Sequence, residues 1–513
     1  MKNDASAAIF EEILSQIRPF GYFQKRLFFL TSLIQAFVTT VLLYLDFVYL
    51  NVKNSSCVST TGGLPEDVTN ISTVTITTEC HGDRKWFNQW EVPMWMNEEN
   101  ASIKFSYIWL CQGCGLIVGA VISGFLSDLV GRKIVLFANL LMMSLAQGGL
   151  CVLDDWIMFL CLRGLVGIFA GGVIVPSCVQ TIEHVGQNWR ELCVCICAWA
   201  MGIPILILEG LITRHWRWLG IVTSSTSLLS IGIYFIYPES FRWYTCRENF
   251  SKAEASIREI ISVNTMSLQD FTQLYDRTKL AVLNSMYKRP RTFFDLLHTR
   301  ERFKTTVVLV FVWLFTCAVY RSLHEKMAGR MSVNVYLDMV LVYLLDIPLV
   351  YSSIVITRCI GRRWCLFLYS VSCGFTLSCI LVIHVIKAMN TNVDMMLGIT
   401  IFGKLGVTST IVLILLVTLE VYPTSIRCMG FAVGLSSGIV GLCLGRFIHF
   451  EFFNKNQSSY PYICYGVMMG LVGCACLLFP ETSGKPLPDL VKSRHRMISM
   501  KEVTRLSNAW EAP

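Results

Sequence analysis

Apolar residues along this chain arrive in blocks of about twenty, the length of helix that crosses a hydrocarbon core of roughly 30 Å. Twelve such blocks stand out. They run from Leu27 to Leu50, Phe105 to Ser127, Ile134 to Leu153, Trp156 to Ile182, Leu192 to Thr213 and Trp218 to Tyr237, then from Thr305 to Leu323, Val335 to Ile356, Trp364 to Ile386, Met395 to Leu419, Cys428 to Phe450 and Tyr462 to Phe479. A polar stretch from Pro238 to Lys304 divides them six and six. The pattern predicts an all-α membrane protein whose twelve transmembrane helices form two six-helix bundles. Its expected organisation is an N-terminal segment over 1–26, a first bundle over 27–237 with a long loop at 51–104, linker helices over 238–304, a second bundle over 305–479 and a tail over 480–513.

Of the 513 residues 54% are hydrophobic and 15% charged, where soluble domains carry about 45–50% and about 25%. An ordinary soluble enzyme and a disordered chain are both excluded. The formal charge of +8 raises nucleic acid as a partner, and the distribution of the basic residues removes it. With the N-terminus in the cytoplasm, the inner segments hold 29 Lys and Arg and the outer ones 10. The positive-inside rule therefore predicts both termini in the cytoplasm and explains the basic balance by topology. Glu11 and Glu12 precede the first apolar run and no small-residue cleavage site follows it, so that run is expected to act as a signal anchor. Ahead of it Ile9, Phe10, Ile13, Leu14 and Ile17 recur at helical spacing, predicting a helix along the inner membrane surface.

The long outer loop carries glycosylation sequons at Asn54, Asn70 and Asn100, and another stands at Asn456 in the last outer loop. Asn249-Phe250-Ser251 also fits the pattern but falls on the cytoplasmic side. Cys57 and Cys80 share the long loop and form the expected disulfide of an oxidising compartment, while most of the 21 cysteines lie in apolar spans as small buried hydrophobes. In the linker, Ser251 and Glu254 predict a capping box that opens a short helix. The sequence has no metal-ligand spacing, no nucleophile with a base and no phosphate-binding loop, so no metal, cofactor or enzymatic activity is expected.

The two halves repeat each other at their cytoplasmic ends, an internal duplication typical of secondary transporters. Gly131-Arg132-Lys133 is echoed by Gly361-Arg362-Arg363, and Pro238-Glu239-Ser240 by Pro480-Glu481-Thr482. Glu183 stands seven residues before Arg190, as Glu420 does before Arg427. Recurrence in matched order predicts opposite charges that close the cytoplasmic mouth in one state and part in another. The candidate gating set is Asp128, Arg132, Glu183, Arg190, Glu239, Arg242, Glu420, Arg427 and Glu481.

Gly124-x-x-x-Asp128-x-x-Gly131-Arg132-Lys133 resembles the signature loop of the major facilitator superfamily. His215-Trp216-Arg217-Trp218-Leu219, Pro238-Glu239-Ser240-Phe241-Arg242-Trp243, Phe293-Phe294-Asp295-Leu296, Glu420-Val421-Tyr422-Pro423-Thr424-Ser425-Ile426-Arg427 and Pro480-Glu481-Thr482-x-Gly484-Lys485-x-Leu487-Pro488 extend the likeness from about Gly21 to Asp489. Together these motifs resemble the organic cation, organic anion and carnitine transporter family. The resemblance implies a major facilitator fold in a multi-pass plasma-membrane carrier, with two bundles rocking about a central cavity to move a small organic solute.

A charge within a span usually faces a partner or a wet cavity. The spans hold Asp46, Arg163, Glu209, Arg321, Asp346, Lys404 and Arg446. Asp346 is the sharpest solute candidate, because a carboxylate in a low-dielectric cavity attracts an organic cation and aromatic faces add to the attraction. Trp313 and Tyr320, seven residues apart on one helix face, match aromatic cavity positions of the family, with Trp199 and Phe37 as further candidates. Three positions depart from the family pattern. Ile439 stands where cation carriers have an Asp and anion carriers an Arg, Val412 replaces an acid, and Arg358 occupies the place of an Asp in the second signature loop. The expected function is transport of organic ions, cations or zwitterions first. Alternatives are a sugar or neutral-solute carrier, and a non-transporting receptor or scaffold. The expected partners are the solute and membrane lipid.

Overall fold

A backbone in lipid finds no water for its N–H and C=O groups, so a chain with this apolar pattern crosses as helix. The structure, a computed structural model, describes residues 5–16, 18–59, 101–195, 198–264, 292–327, 335–386, 393–448 and 460–488, with 275, 276 and 279. Asn70, Asn100, Asn456 and Cys80 lie outside the described residues, as do the side chains of Asn54, Cys57 and Trp199.

The helices in chain order are α1 (Ala5–Gln16), α2 (Tyr22–Ser59), α3 (Ala101–Val130), α4 (Arg132–Leu150), α5 (Trp156–His184), α6 (Arg190–Cys195), α7 (Ala198–Thr213), α8 (Trp216–Leu229), α9 (Phe241–Cys246), α10 (Phe250–Val263), α11 (Arg300–Met327), α12 (Val335–Leu344), α13 (Asp346–Ile360), α14 (Arg362–Ile386), α15 (Val393–Val421), α16 (Arg427–Ile448) and α17 (Tyr460–Cys476). Nine segments among the described residues are long and apolar enough to cross a membrane. Two shorter apolar helices, Met201–Thr213 and Tyr462–Cys476, fall at the fifth and twelfth expected spans, and α14 falls at the ninth.

Several elements differ from the sequence reading for identifiable reasons. α2 continues to Ser59, past the apolar block, because a helix end in water needs hydrogen bonds rather than apolar side chains. The eighth span is two helices, α12 and α13, meeting at Leu345. Pro348 has no N–H for the Leu344 carbonyl and its ring crowds that group, which breaks the ladder there. The linker helix α10 is capped by Asn249, whose side chain accepts from Lys252 N, so the predicted box of Ser251 and Glu254 does not form. Glu254 pairs instead with Arg258 one turn on.

α1 is also placed differently. Its apolar face does not lie on lipid: Phe10, Ile13 and Leu14 are buried with Phe23, Phe241, Ile257 and Ile261 in the core of the first half. The linker helices offer it a protein surface at this end of the first half.

Within each half one helix pair approaches closely enough to exclude any side chain. A Cβ on Gly119 of α3 would stand 1.8 Å from the Ile168 carbonyl oxygen of α5, and one on Gly441 of α16 would stand 2.1 Å from that of Leu314 in α11. The halves touch each other at both ends. Ala120, Val175, Val179 and Ile182 of the first half join the core of the second. Val340 and Tyr343 of α12 pack against the core of the first.

Candidate functional site

The repeated motifs build two equivalent helix starts. Gly131 and Gly361 precede α4 and α14 with φ of 129° and 91°, a region that favours glycine. Each turn aims the first backbone N–H groups of its helix at a carboxylate. Glu239 accepts from Arg132 N at 3.0 Å and Lys133 N at 3.1 Å, and Glu481 accepts from Arg362 N at 3.0 Å and Arg363 N at 3.2 Å. Each acid meets orphan donors and the positive end of a helix dipole. Burial pushes the Glu239 carboxyl up, against Arg132 and these backbone donors.

The arginines that follow the glycines turn inward. Arg132, fully buried, reaches Asp128 at 3.3 Å and Glu183 at 3.2 Å, and donates across to the Thr424 carbonyl of the second half at 2.8 Å. Asp128 crosses as well, accepting from Met429 N at 3.1 Å. Glu183 takes Arg427 of the second half at 3.0 Å and the Ser240 hydroxyl. In the other direction, Arg362 pairs with Glu420 and reaches Glu191 of the first half at 3.3 Å. Arg190 lies 3.9 Å from Glu420 and donates to the Lys485 carbonyl at 3.1 Å. This end of the molecule is thus bridged by charges exchanged between the halves.

Two acids in this network escaped the sequence reading. Glu11 of α1 accepts from both Arg190 and Arg242, the latter at 2.7 Å. Burial alone would raise its carboxyl, but Arg242 and Arg190 together hold it below the usual range. Burial brings Arg190 down to about 10, against Glu11 and Glu420. The second acid is Glu191. It meets Arg358 at 3.4 Å, so the arginine that departs from the family pattern finds its partner in the opposite half.

A second ionic cluster joins the halves at the opposite end. Arg321 of α11 lies 3.8 Å from Asp46 of α2 and 2.8 Å from Glu325, which also takes Arg446 at 3.3 Å. Trp109 of α3 lies under both guanidiniums, 4.6 Å from Arg321 and 5.5 Å from Arg446. Phe105 faces Arg446 at 4.8 Å. Cation-π contact between halves supplements the ion pair.

Between the two ends lies Asp346, at the start of α13. Lys404 of α15 donates to both its oxygens at 2.7 Å, and the Thr408 hydroxyl donates at 3.1 Å. Tyr320 and Tyr343 lie 5.5 and 5.8 Å from the Lys404 ammonium, and Tyr343 contacts His324 at 3.3 Å. Trp313 is placed elsewhere: its indole donates to Thr418 at 3.0 Å and its ring packs on Gly434 and Gly438. Phe37 is half-buried on α2. Arg163 donates to the Val41 carbonyl at 3.0 Å and lies 4.8 Å from the Tyr44 ring, inside the first half. Glu209 accepts from Thr226 at 3.2 Å. The structure therefore brings Tyr320 to the Asp346 group, and adds Lys404, Tyr343 and His324 to it.

Comparison with known proteins gives the same architecture. Residues 25–491 match the family described as sugar (and other) transporter. Solute carrier family 22 member 4 of Mus musculus is 27% identical over 387 residues, covering 75% of this chain and 68% of the relative. Solute carrier family 22 member 2 of Rattus norvegicus is 26% identical over 392 residues, covering 75% and 67%. Organic cation/carnitine transporter 2 of Mus musculus is 27% identical over 396 residues, covering 76% and 68%. The solved structure of the major facilitator superfamily proton:xylose symporter XylE bound to 6-bromo-6-deoxy-D-glucose is similar in fold, with a TM-score of 0.66 at 16% identity over 90% of this chain and 98% of that one.

Proposed function

We propose that this chain, which belongs to the sugar (and other) transporter family of the major facilitator superfamily and is similar to organic cation/carnitine transporter 2, carries small organic ions bearing a positive centre by alternating access. Family and fold are those of membrane transporters rather than enzymes. The observation that carries the reading is that ion pairs join the same two halves at both ends, Arg427 to Glu183 inside and Arg321 to Asp46 outside. A carrier needs two closures that open in turn, and each needs contacts of modest net stability, as ion pairs returned to water provide. Asp346 and Tyr320, with Lys404 and Tyr343, form the solute site in this reading. The distribution of basic residues supports both termini in the cytoplasm, and the likeness to organic cation/carnitine carriers supports residence in the plasma membrane.

Relatives named for organic cations and carnitine do not favour a sugar cargo. The receptor or scaffold alternative is encouraged by Arg358 standing where the second signature loop would have its acid; Glu191 of the first half, 3.4 Å from Arg358, still ties that loop to the opposite half by charge. Proteoliposomes holding the full chain test the proposal. Saturable uptake of labelled tetraethylammonium or carnitine is expected. Absence of flux for every organic ion class, with binding retained, contradicts it.

A further inference from the structure

The apolar face of α1 is turned to the protein. Phe10, Ile13 and Leu14 are 0%, 1% and 1% exposed, packed in one core with Phe241, Ile257 and Ile261 of the first half, and the Phe10 ring lies 5.5 Å from the Arg242 guanidinium. The chain after α1 is fastened to the same half. Gly186 N donates to the Pro19 carbonyl at 3.0 Å, and Phe20 stacks on Trp189 at 4.7 Å.

One side chain of α1 reaches beyond that half. Glu11 accepts from Arg190 and Arg242 of the first half and from the backbone N–H of Leu487. Leu487 is buried in the core of the second half, and the Pro488 carbonyl next to it accepts from Thr424 N at 3.1 Å and Arg427 at 3.0 Å. Arg190, held by Glu11, also donates to the Lys485 carbonyl at 3.1 Å. Glu11 thus lies across the seam. Contacts within one half are common to every arrangement of two rigid halves, whereas those from Glu11 and Arg190 to residues 485–487 exist only while this end is joined. Only contacts of the second kind shift the equilibrium between arrangements.

Two features make the docking of α1 reversible. Arg18, between α1 and α2, has a φ of 69°, a strained conformation for a residue with a Cβ, so the docked position is held against a local backbone cost. An apolar helix face that leaves the protein at this end has the membrane surface to receive it, so release does not deliver it to water.

We propose, resting on the alternating-access reading above, that α1 is a detachable strap: docked, it biases this end of the carrier toward closure through Glu11, and displaced, it lets the end open. The regulated element is the seam, and the regulator is a segment of the same chain that competes with nothing in the solute site.

The test uses the full chain in lipid nanodiscs, with the other cysteines replaced so that Cys428, fully buried in the second half, reports opening through its rate of maleimide labelling. Ile13→Asp with Leu14→Asp undocks α1, while Glu11→Gln leaves the apolar face in place and removes the charge that crosses the seam. Labelling is expected to be at least ~tenfold faster in both, a conservative share of the effect of taking an acid from two buried guanidiniums. A peptide of residues 1–16 in large excess is expected to return the Ile13→Asp, Leu14→Asp rate toward that of the parent, and the same peptide carrying Glu11→Gln is not. An unchanged rate in either variant overturns the proposal. So does an acceleration that the native peptide fails to reverse, because α1 then serves only the folding of the first half. Uptake of tetraethylammonium and carnitine by the parent is measured alongside. Flux with unchanged labelling strikes this inference alone, and absence of flux strikes the carrier reading on which it rests.

Discussion

Glu183 is the most shared acid of the inner latch. It is fully buried and takes Arg132 at 3.2 Å, Arg427 at 3.0 Å and the Ser240 hydroxyl. Glu183→Gln keeps its shape and removes its charge, leaving two buried guanidiniums around a neutral amide. Removing one partner of a buried pair costs about 3–5 kcal/mol. Arg132 retains Asp128 and the Thr424 carbonyl, and Arg427 retains the Tyr422 and Pro488 carbonyls, which brings the loss to about 2–3 kcal/mol. In an opened mouth all these groups meet water, so the loss falls on the closed state alone. The inward-open population therefore rises about 30- to 140-fold relative to the closed one. Cys428 reports this directly, because it is fully buried next to Met429, whose backbone N–H donates to Asp128. With the other cysteines replaced, a membrane-impermeant maleimide is applied to the cytoplasmic face of inside-out vesicles. Labelling of Cys428 is expected to be at least ~tenfold faster in Glu183→Gln than in its parent. An unchanged rate refutes the assignment of Glu183 to a latch that opens.

Other perturbations follow from the same contacts. Gly131→Ala forces a side chain into a φ of 129° and places its Cβ 2.7 Å from a Glu239 oxygen; a loss of about 1–3 kcal/mol lowers the unfolding temperature in detergent, and Gly361→Ala behaves likewise against Glu481. Arg358→Glu sets a second carboxylate beside Glu191 and speeds Cys428 labelling, but by less than about tenfold because Arg358 is largely exposed; adding Glu191→Gln relieves the repulsion. Glu11 has a lowered native pKa, so its hold on Arg190 and Arg242 is complete above the ordinary carboxyl value of 4.5 and fades as pH falls through the lower native one. The hydrogen-exchange protection of α1, taken relative to the intrinsic rate at each pH, should therefore be constant between about pH 6 and 8 and fall in Glu11→Gln.

What was legible in the sequence is what lipid enforces. Twelve apolar blocks were legible as helices, and among the described residues a helix falls at each of them, nine segments being long and apolar enough to cross a membrane, because a lone apolar segment in lipid satisfies its backbone as helix. The repeated cytoplasmic motifs were legible for a similar reason: a glycine turn and a distant Glu that meets the next helix start recur as a unit, so Glu239 and Glu481 do the same work. Partner choice was not legible. Nothing in local pattern says that Glu191 will face Arg358 and Arg362, or that Glu11 will reach Arg190 and Arg242, because those pairs form only when the halves dock. Trp313 and Tyr320 share a helix face by spacing, yet one hydrogen-bonds Thr418 and the other flanks Lys404. The break at Leu345 was signalled by Pro348, but the length of the apolar run concealed it.

The central claim is that two ionic closures open in turn about one site. It is tested most directly by measuring both mouths in the same preparation, using spin labels at the exposed positions Val130 and Ile360 for the inner mouth and Val152 and Leu337 for the outer. Under saturating solute, distance distributions are expected to contain an inner-open and an outer-open population and no species long at both. Lengthening of both distances together, or fixed distances in every condition, contradicts it.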